Sequence, residues 1–274
     1  MGYLGYKQAV APFAHSGALP RMIGLVGEPG FHSALLSFLH ESVGAEHCAI
    51  VRFIDDRPVK VGASSLDGTN TAGQQMDLYL NSYWRFDPTM VAAHDMIAEA
   101  PTSLMRLDVG GLPPSGLRDL VYRRQHISER LLLSGSAAGG RVSLSILRSE
   151  RLGKFSEGEV GRLLDMAGTL LALAGKHADL VTRQSELSLA LTSLPTIVDC
   201  MAHAPENLPR RETEVCARIL FGVSSIGIGL ELNIGEETVK TYRKRAYQRL
   251  GIATQRELLV WYIKRWSEQR SRAN

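Results

Sequence analysis

The sequence predicts an α+β protein of two domains, an N-terminal α/β/α sandwich on an antiparallel sheet and a C-terminal all-α domain of four helices. Four short stretches with strand-like composition lie in the first part of the chain, between segments of helical periodicity. Residues 208–274 contain 13 Lys or Arg and 7 Asp or Glu, against 18 and 21 in the rest. With 274 residues, 45% of them hydrophobic, the chain can bury two separate cores.

The predicted elements of the first domain follow from periodicity and from local stop signals. Asp87-Pro88 ends a helix, because the residue before proline avoids helical angles. Ser156 and Glu159 form a capping box that opens a long helix. In chain order we predict a helix over 31–44, strands over 46–55 and 57–66, helices over 72–84 and 115–126, strands over 128–136 and 139–148, and a helix over 155–183.

The predicted domain limits rest on composition. We expect an N-terminal extension over 1–30 and a sandwich domain over 31–192. Prolines interrupt the helical pattern in a predicted linker over 193–207, before the basic domain over 208–274.

The stretch "GEETVKTYRKRAYQRLGI", residues 235–252, predicts an amphipathic helix with a basic outer face. Its apolar side carries Val239, Tyr242, Ala246 and Leu250. Two shorter helices are predicted over 209–222 and 223–234, and a fourth begins at a Thr254/Glu257 capping box. This order predicts a helix-turn-helix whose third helix enters a DNA major groove.

The segments "LPRRETEV", "GVSSIGIGLELNI" and "EETVKTYRKRAYQRLGI" resemble the LuxR-type DNA-binding domain. The resemblance implies a transcription regulator that binds double-stranded DNA as a homodimer, with RNA polymerase as a further partner. It implies that Lys240, Thr241 and Lys244 face base edges, and it places the guanidinium groups of Arg243, Arg245 and Arg249 near phosphates. The helix from Gln255 to Trp266 matches the dimer helix of the family, and the stripe Val160, Leu163, Leu164, Leu170 and Leu171 is a second candidate dimer surface.

Three positions depart from the family pattern around the second helix. Pro209 stands where the family usually has Thr or Ser, Gly227 where it has Glu, and Gly229 where it has Ala. An interior glycine costs about 0.5–1 kcal/mol against alanine. The sequence therefore predicts a weakly stable scaffold helix.

The first domain resembles the GAF and PAS-like sensor class, and "SYWRFDPTM" (82–90) resembles the Asp-Pro segment of LuxR-family autoinducer domains, as in quorum sensing. The resemblance implies that Asp87 accepts a hydrogen bond from a ligand amide and that Tyr83, Thr89 and Ser143 lie nearby. Alternatively, Asp87 only ends a helix and bonds local backbone amides. Tyr79, Tyr83 and Trp84 either line the pocket or pack in a core. In the family, a tryptophan indole binds the lactone carbonyl of the ligand. That tryptophan would fall near Gln74 in this sequence, so the ligand class stays open.

Other chemistry is not indicated by the sequence. His47 and Cys48 point to opposite strand faces, and no nucleophile motif, metal-ligand spacing or cofactor fingerprint occurs. The three cysteines form no CxxC pair, the first residues have no signal-peptide layout, and no stretch is long enough to span a membrane. We therefore expect a cytoplasmic regulator without enzymatic activity, metal, cofactor or membrane contact.

Three functions remain open from the sequence. The first is a regulator controlled by a small-molecule effector. The second is a ligand-independent regulator whose first domain serves dimerisation or protein interaction. The third is a sensor-fold enzyme fused to a DNA-binding tail.

Overall fold

The computed structural model describes residues 17–96, 102–137 and 140–273. Within it the chain divides into two units, Met1–Thr182 and Arg183–Asn274. The boundary between the two units lies before the predicted linker over 193–207. Within that linker, Leu194–Ala202 form a helix.

The first unit is built on a five-stranded antiparallel sheet with the order β2-β1-β5-β4-β3. The four predicted strands are present, and β3 is an additional edge strand whose sequence TSLMRLD lacks a clear period of two. The strands are β1 (His47–Ile54), β2 (Arg57–Ser65), β3 (Thr102–Asp108), β4 (Ile127–Ala137) and β5 (Gly140–Ser149).

Helices cover both faces of this sheet, which confirms the α/β/α sandwich. The described helices of the first unit are α1 (Ala18–Gly24), α2 (Phe31–Val43), α3 (Thr71–Ser82), α4 (Pro88–Met96) and α5 (Glu157–Thr192), which continues into the second unit. One core packs α2 and α5 on the sheet, and the other packs α3, α4 and the 117–125 segment on the opposite face.

Two predicted helices differ from the observed ones. The helix predicted over 115–126 is a π-helical turn, Leu117–Tyr122, followed by a 3₁₀ turn, Arg123–Gln125. The long helix α5 runs to Thr192, beyond its predicted end at 183. The capping box at its start is present, since Ser156 N–H donates to Glu159 Oε2 at 2.8 Å and Glu159 N–H donates to Ser156 Oγ at 3.3 Å.

The second unit is all helical and contains the predicted helix-turn-helix. Its further helices are α6 (Leu194–Ala202), α7 (Arg210–Phe221), α8 (Ser225–Leu232), α9 (Glu236–Leu250) and α10 (Gln255–Ala273). Pro195 begins α6 instead of breaking it, because the first helical turn needs no proline N–H. Val215, Ile228, Val239 and Leu258 join α7 to α10 in one core. No helix of the described residues is long and apolar enough to cross a membrane.

Candidate functional sites

Helix α9 presents the basic outer face that its sequence predicts. Val239, Ala246 and Tyr247 are buried against the other helices. Tyr247 is buried although the predicted apolar side of the helix does not include it. All six predicted DNA-contact side chains are exposed, namely Lys240, Thr241, Arg243, Lys244, Arg245 and Arg249.

Two of these six side chains, Lys240 and Arg249, form ion pairs with acidic side chains of the same chain. Lys240 Nζ lies 2.7 Å from Glu237 Oε1 and 3.2 Å from Glu236 Oε1, and these hydrogen bonds raise the pKa of Lys240. Arg249 Nε lies 3.1 Å from Glu212 Oε2. Within the described residues Lys244 and Arg245 have no ion pair, so their charges are free for an external anion.

Helix α10 divides its apolar side chains between a core and the surface. Leu258 and Tyr262 are buried, and the Tyr262 hydroxyl donates to the Ala190 carbonyl. Leu259, Val260 and Ile263 are 38%, 61% and 37% exposed. The predicted dimer helix therefore carries an apolar surface that no described residue of this chain covers.

Asp87 lies fully buried at the start of α4, where it is held by protein groups. Its Oδ1 accepts hydrogen bonds from the Thr89 N–H at 2.9 Å, the Thr89 hydroxyl at 2.7 Å and the Met90 N–H at 3.3 Å. Its Oδ2 accepts from the Tyr79 hydroxyl at 2.9 Å and the Tyr122 hydroxyl at 3.3 Å, and Arg130 Nη1 lies 2.8 Å away. The backbone contacts are those of a helix N-cap.

The pKa values in this cluster keep Asp87 and Arg130 ionised. Burial alone would raise the pKa of Asp87, but the charge of Arg130 and hydrogen bonds from Thr89 and Tyr79 outweigh it and hold the pKa below its usual value. Burial opposes the charge of Arg130, yet Asp87 raises the pKa of the guanidinium. Burial raises the pKa of both Tyr79 and Tyr122, so the two phenols stay protonated as donors.

The other predicted ligand residues are dispersed around this cluster. Tyr83 is half-buried against Gly116, where an added Cβ would lie 2.6 Å from Tyr83 Cε1. Trp84 is half-buried with the Arg85 guanidinium 4.5 Å from its ring centroid. Ser143 Oγ is 2.8 Å from Ser134 Oγ. Of the predicted set, Tyr79 and Thr89 contact Asp87, whereas Tyr83, Trp84 and Ser143 have other partners.

A cavity lies between the sheet and α3, next to this cluster. Its volume is about 500 Å³, a figure that includes the solvent-filled space at its opening. Tyr79, Tyr122 and Arg130 belong both to its wall and to the Asp87 cluster. The surface of the wall is mostly apolar. Three polar atoms of its residues have no hydrogen-bond partner among the described residues, but surrounding atoms cover each of them; they are Arg130 Nε, Ser145 Oγ and Gln75 Oε1.

Sequence reasoning missed Arg130, Tyr122, Ser145 and Gln75. One signal for Arg130 was available, because an arginine inside the apolar strand sequence "SERLLLS" requires a buried partner. Tyr122, Ser145 and Gln75 carry no comparable signal, since tyrosine, serine and glutamine are ordinary residues in such elements.

Comparison with known proteins agrees with the helix-turn-helix geometry. Residues 206–262 match the family described as "Bacterial regulatory proteins, luxR family". A curated protein of Aeromonas salmonicida, "Putative HTH-type transcriptional regulator in exeN 3'region", is 27% identical over 183 residues, which cover 65% of this chain and 93% of that protein.

Two solved structures are similar at low sequence identity. The VqsR LBD domain from Pseudomonas aeruginosa is 13% identical, with a TM-score of 0.46 over 60% of this chain and 95% of the other. Escherichia coli SdiA is 15% identical, with a TM-score of 0.36 over 84% of this chain and 87% of the other.

The exposed basic face of α9 thus lies inside the segment that matches the family. In this segment the helices α7, α8 and α9 and the turn at Asn233 all occur at the predicted places. Residues 206–262 therefore form a DNA-binding domain of the LuxR type.

Proposed function

We propose that a small molecule bound in the cavity of the first unit controls DNA binding by this regulator. The observation that carries the proposal is the cavity between the sheet and α3, whose surface is almost entirely apolar. Open apolar space of this kind is typical of small-molecule sites, because a ligand that fills it removes apolar surface from water.

The cavity favours this function over the two alternatives. A domain that serves only dimerisation has no need for empty space lined by Arg130 and Ser145. An enzyme would need a nucleophile or an acid–base pair facing the cavity. The Asp87 carboxylate and both phenols bond to each other and to Arg130. The Cys48 thiol, also in the wall, donates to the His32 carbonyl, and burial raises its pKa to about 12. We therefore infer that the cavity binds a molecule without transforming it.

The DNA interface of the proposal is the exposed face of α9. Lys240, Thr241 and Lys244 lie on its outer side, where side chains of a recognition helix reach base edges. Arg243, Arg245 and Arg249 are exposed beside them and would bind phosphates.

We also propose a homodimer through the exposed apolar side of α10, which would read two half-sites. RNA polymerase as a partner, the cytoplasmic location and the domain limits 31–192 and 208–274 stay predictions.

The test combines ligand identification with DNA binding. Molecules that copurify with the full chain are extracted and identified by mass spectrometry, and a binding site is selected from random DNA. We expect the extract to change the affinity of the protein for the selected site. Equal affinity with and without the extract, at saturating ligand, would contradict control by the cavity.

A cavity-filling variant links the effect to the cavity. Ala72 lines the cavity on α3, so Ala72→Leu should weaken the response to the extract by occupying its space. Gln74→Leu is the matched control, because Gln74 is exposed on the same helix and does not line the cavity. Both variants should bind DNA without ligand as the unmodified protein does.

A further inference from the structure

An acidic side chain, Glu237, lies in the middle of the outer face of α9. Val239 is buried on the inner side of this helix, and a helix turns by about 100° per residue. The side chains that point within about 40° of the opposite direction are Glu237, Thr241, Lys244 and Gln248. Glu237 belongs to the first turn and its side chain is 85% exposed. Because the N-terminal residues of a recognition helix contact base edges, this carboxylate stands where α9 would meet the major groove.

A carboxylate on this face needs a hydrogen-bond donor from the DNA. The phosphates repel it, and guanine O6 and N7, adenine N7 and thymine O4 are acceptors. The donors that the major groove offers are the amino groups at cytosine N4 and adenine N6. The adenine amino group lies between two acceptors, its own N7 and the O4 of the paired thymine, whereas the cytosine amino group has an acceptor on one side alone. Cytosine is therefore the better partner for a carboxylate.

Lys240 completes the match to a cytosine–guanine pair. Its Nζ lies 2.7 Å from Glu237 Oε1, so the two side chains present an acceptor beside a donor. An ammonium group has three N–H donors, and Glu236 and Glu237 engage at most two of them. The remaining donor can reach guanine O6 or N7 of the same base pair whose cytosine donates to Glu237.

The start of α9 does not need a second acid for its stability. Glu236 already places a carboxylate in the first turn, where it interacts favourably with the helix dipole. It also pairs with Lys240 at 3.2 Å, and its side chain is 45% exposed. Glu236 lies about 100° around the helix from Glu237, away from the middle of the outer face. The position of Glu237 therefore fits contact with DNA better than support of the helix.

We propose that Glu237 determines DNA specificity by accepting a hydrogen bond from the N4 amino group of a cytosine in the major groove, with Lys240 on the paired guanine. This inference rests on the outer face of α9 as the DNA interface of the proposed function, and it does not depend on control by a small molecule. Glu237 lowers the affinity for DNA in general and raises the selectivity for one base pair.

Selection from random DNA, followed by titration of the selected sites, tests this role. The full chain is used with and without the molecules that copurify with it. We expect the unmodified chain to prefer cytosine at one position of each half-site by about 5- to 150-fold, as one good base contact predicts. Glu237→Ala should bring this ratio close to one at that position. The ratio isolates base recognition, because a change in net charge alters the affinity for every sequence alike.

Glu236→Ala is the matched control. It removes the same charge from the same helix turn, together with the other carboxylate that pairs with Lys240. Because Glu236 lies to the side of the outer face, this variant should keep the cytosine preference. Both side chains are exposed, so circular dichroism should show the same helix content in both variants.

N4-methylcytosine tests the hydrogen bond itself. This base still pairs with guanine, but a methyl group replaces the amino hydrogen that faces the groove. At the preferred position it should lower the affinity of the unmodified chain by about as much as the cytosine preference. The affinity of Glu237→Ala should stay unaltered.

The outcomes separate this inference from the proposed function. The assignment to Glu237 is overturned by the absence of a cytosine preference, by a preference that Glu237→Ala retains, by its loss in Glu236→Ala, or by equal binding of cytosine and N4-methylcytosine. If Lys244→Ala weakens binding while Glu237→Ala retains the preference, the α9 interface stands and this inference fails. Equal DNA affinity with and without the copurified molecules would contradict ligand control alone.

Discussion

At the residue scale, the Asp87–Arg130 pair is the feature with the largest energetic consequence. Both side chains are at most 2% exposed, and the pair joins the start of α4 to the middle of β4. A buried ion pair adds little net stability, but the removal of one partner leaves a charge without compensation. The carboxylate is therefore a structural group whatever else it does.

We expect Asp87→Asn to lower the free energy of unfolding of the first unit by about 3–5 kcal/mol, because the change leaves Arg130 buried without a counter-ion. Urea denaturation followed by circular dichroism measures the change. Glu157→Gln is the control, since this carboxylate pairs with Arg106 but is 88% exposed and should matter little. An unaltered urea midpoint with a lost effector response would indicate that the chief partner of Asp87 is a ligand.

Glu236 and Glu237, at the start of α9, form ion pairs with Lys240 and make its ammonium group less available to DNA. Glu237 binds Lys240 Nζ at 2.7 Å and would lie close to DNA phosphates. We expect Glu237→Gln to strengthen DNA binding roughly severalfold, because it removes one of the two carboxylates that pair with Lys240 and a negative charge that would repel the phosphates. Lys244→Ala should weaken specific binding by about 1–3 kcal/mol.

Fluorescence anisotropy with the selected site measures both variants. The controls are Glu150→Gln and Lys176→Ala, which make the same charge changes at exposed side chains of the first unit. Equal effects of these control variants and the α9 variants would show that net charge alone, and not the outer face of α9, determines affinity.

At the element scale, Gly229 in α8 has a role that helix propensity alone does not show. The sequence counts it as a weak point of the scaffold helix. An added Cβ there would lie 2.8 Å from the Ile234 carbonyl oxygen, in the turn that leads to α9. The same turn is closed by the Ile234 N–H, which donates to the Gly229 carbonyl at 2.9 Å. Glycine thus permits the close approach of α8 and α9.

We expect Gly229→Ala to destabilise the second unit by about 1–3 kcal/mol, because the backbone of the turn must shift. Thermal unfolding of the full chain, with near-UV signals of Trp261 and Trp266 reporting on this unit, measures the loss. Gly168→Ala in α5 is the control, since no atom lies within 4 Å of its added Cβ. It should stabilise by about 0.5–1 kcal/mol. A gain in stability for Gly229→Ala would contradict the close approach.

The packing of α2 on α5 buries His177 and half-buries His32. The rings of His32 and His177 are 4.7 Å apart, and neither Nε2 has a partner among the described residues. Burial lowers the pKa of His32 to about 4, and burial with the nearby His32 lowers that of His177 to about 4. In the unfolded chain a histidine titrates near about 6.5. As pH falls between these values, the unfolded chain gains protons that the folded chain does not, and stability decreases.

We expect the first unit to lose stability from about pH 6.5 down to about pH 4, by up to about 1.4 kcal/mol per pH unit for each histidine. His177→Asn should make this slope shallower, because asparagine does not titrate. The new Oδ1 can still accept the hydrogen bond that the Gly27 N–H donates to His177 Nδ1. Urea midpoints across this pH range measure the slope. His126→Asn, at an 81% exposed side chain, should leave it unaltered. An identical slope for His177→Asn and the unmodified chain would contradict the buried neutral state.

At the scale of the whole molecule, the apolar face of α10 favours self-association. Val260 is 61% exposed between the partly exposed Leu259 and Ile263. The alternative dimer surface on α5 is mostly buried within the first unit, where Val160, Leu163, Leu170 and Leu171 pack in the sheet core and Leu164 alone of that stripe is 51% exposed. Of the two candidate dimer surfaces, α10 therefore exposes more apolar side chains than the α5 stripe.

We expect Val260→Glu to convert the dimer to a monomer and to abolish tight binding to a two-half-site operator, because it places a charge in the apolar interface. Analytical ultracentrifugation at micromolar concentration gives the oligomeric state. Leu164→Glu is the control. Dissociation by Leu164→Glu but not by Val260→Glu would move the interface to α5, and a monomeric unmodified chain would refute the dimer.

The sequence by itself determined most of the elements and the basic outer face of α9, because both depend on local patterns. Helical periodicity placed Val239 and Ala246 inward and Lys244 outward, and the capping boxes at Ser156 and Thr254 marked the helix starts. The short edge strand β3 and the helices α1, α4 and α6 were not predicted, because their patterns were short, weak or interrupted by proline.

Only the tertiary structure decided what surrounds Asp87 and where a ligand fits. The partner of Asp87 is Arg130, from a distant strand, and the cavity wall combines α3, β4, β5 and the 117–125 segment. The alternation of β5 puts Ser143 and Ser145 on the same face, but only the packing of α3 over one end of the strand makes Ser145 a wall residue. Burial and pairing depend on which elements meet in space, and no local pattern in a single sequence contains that information.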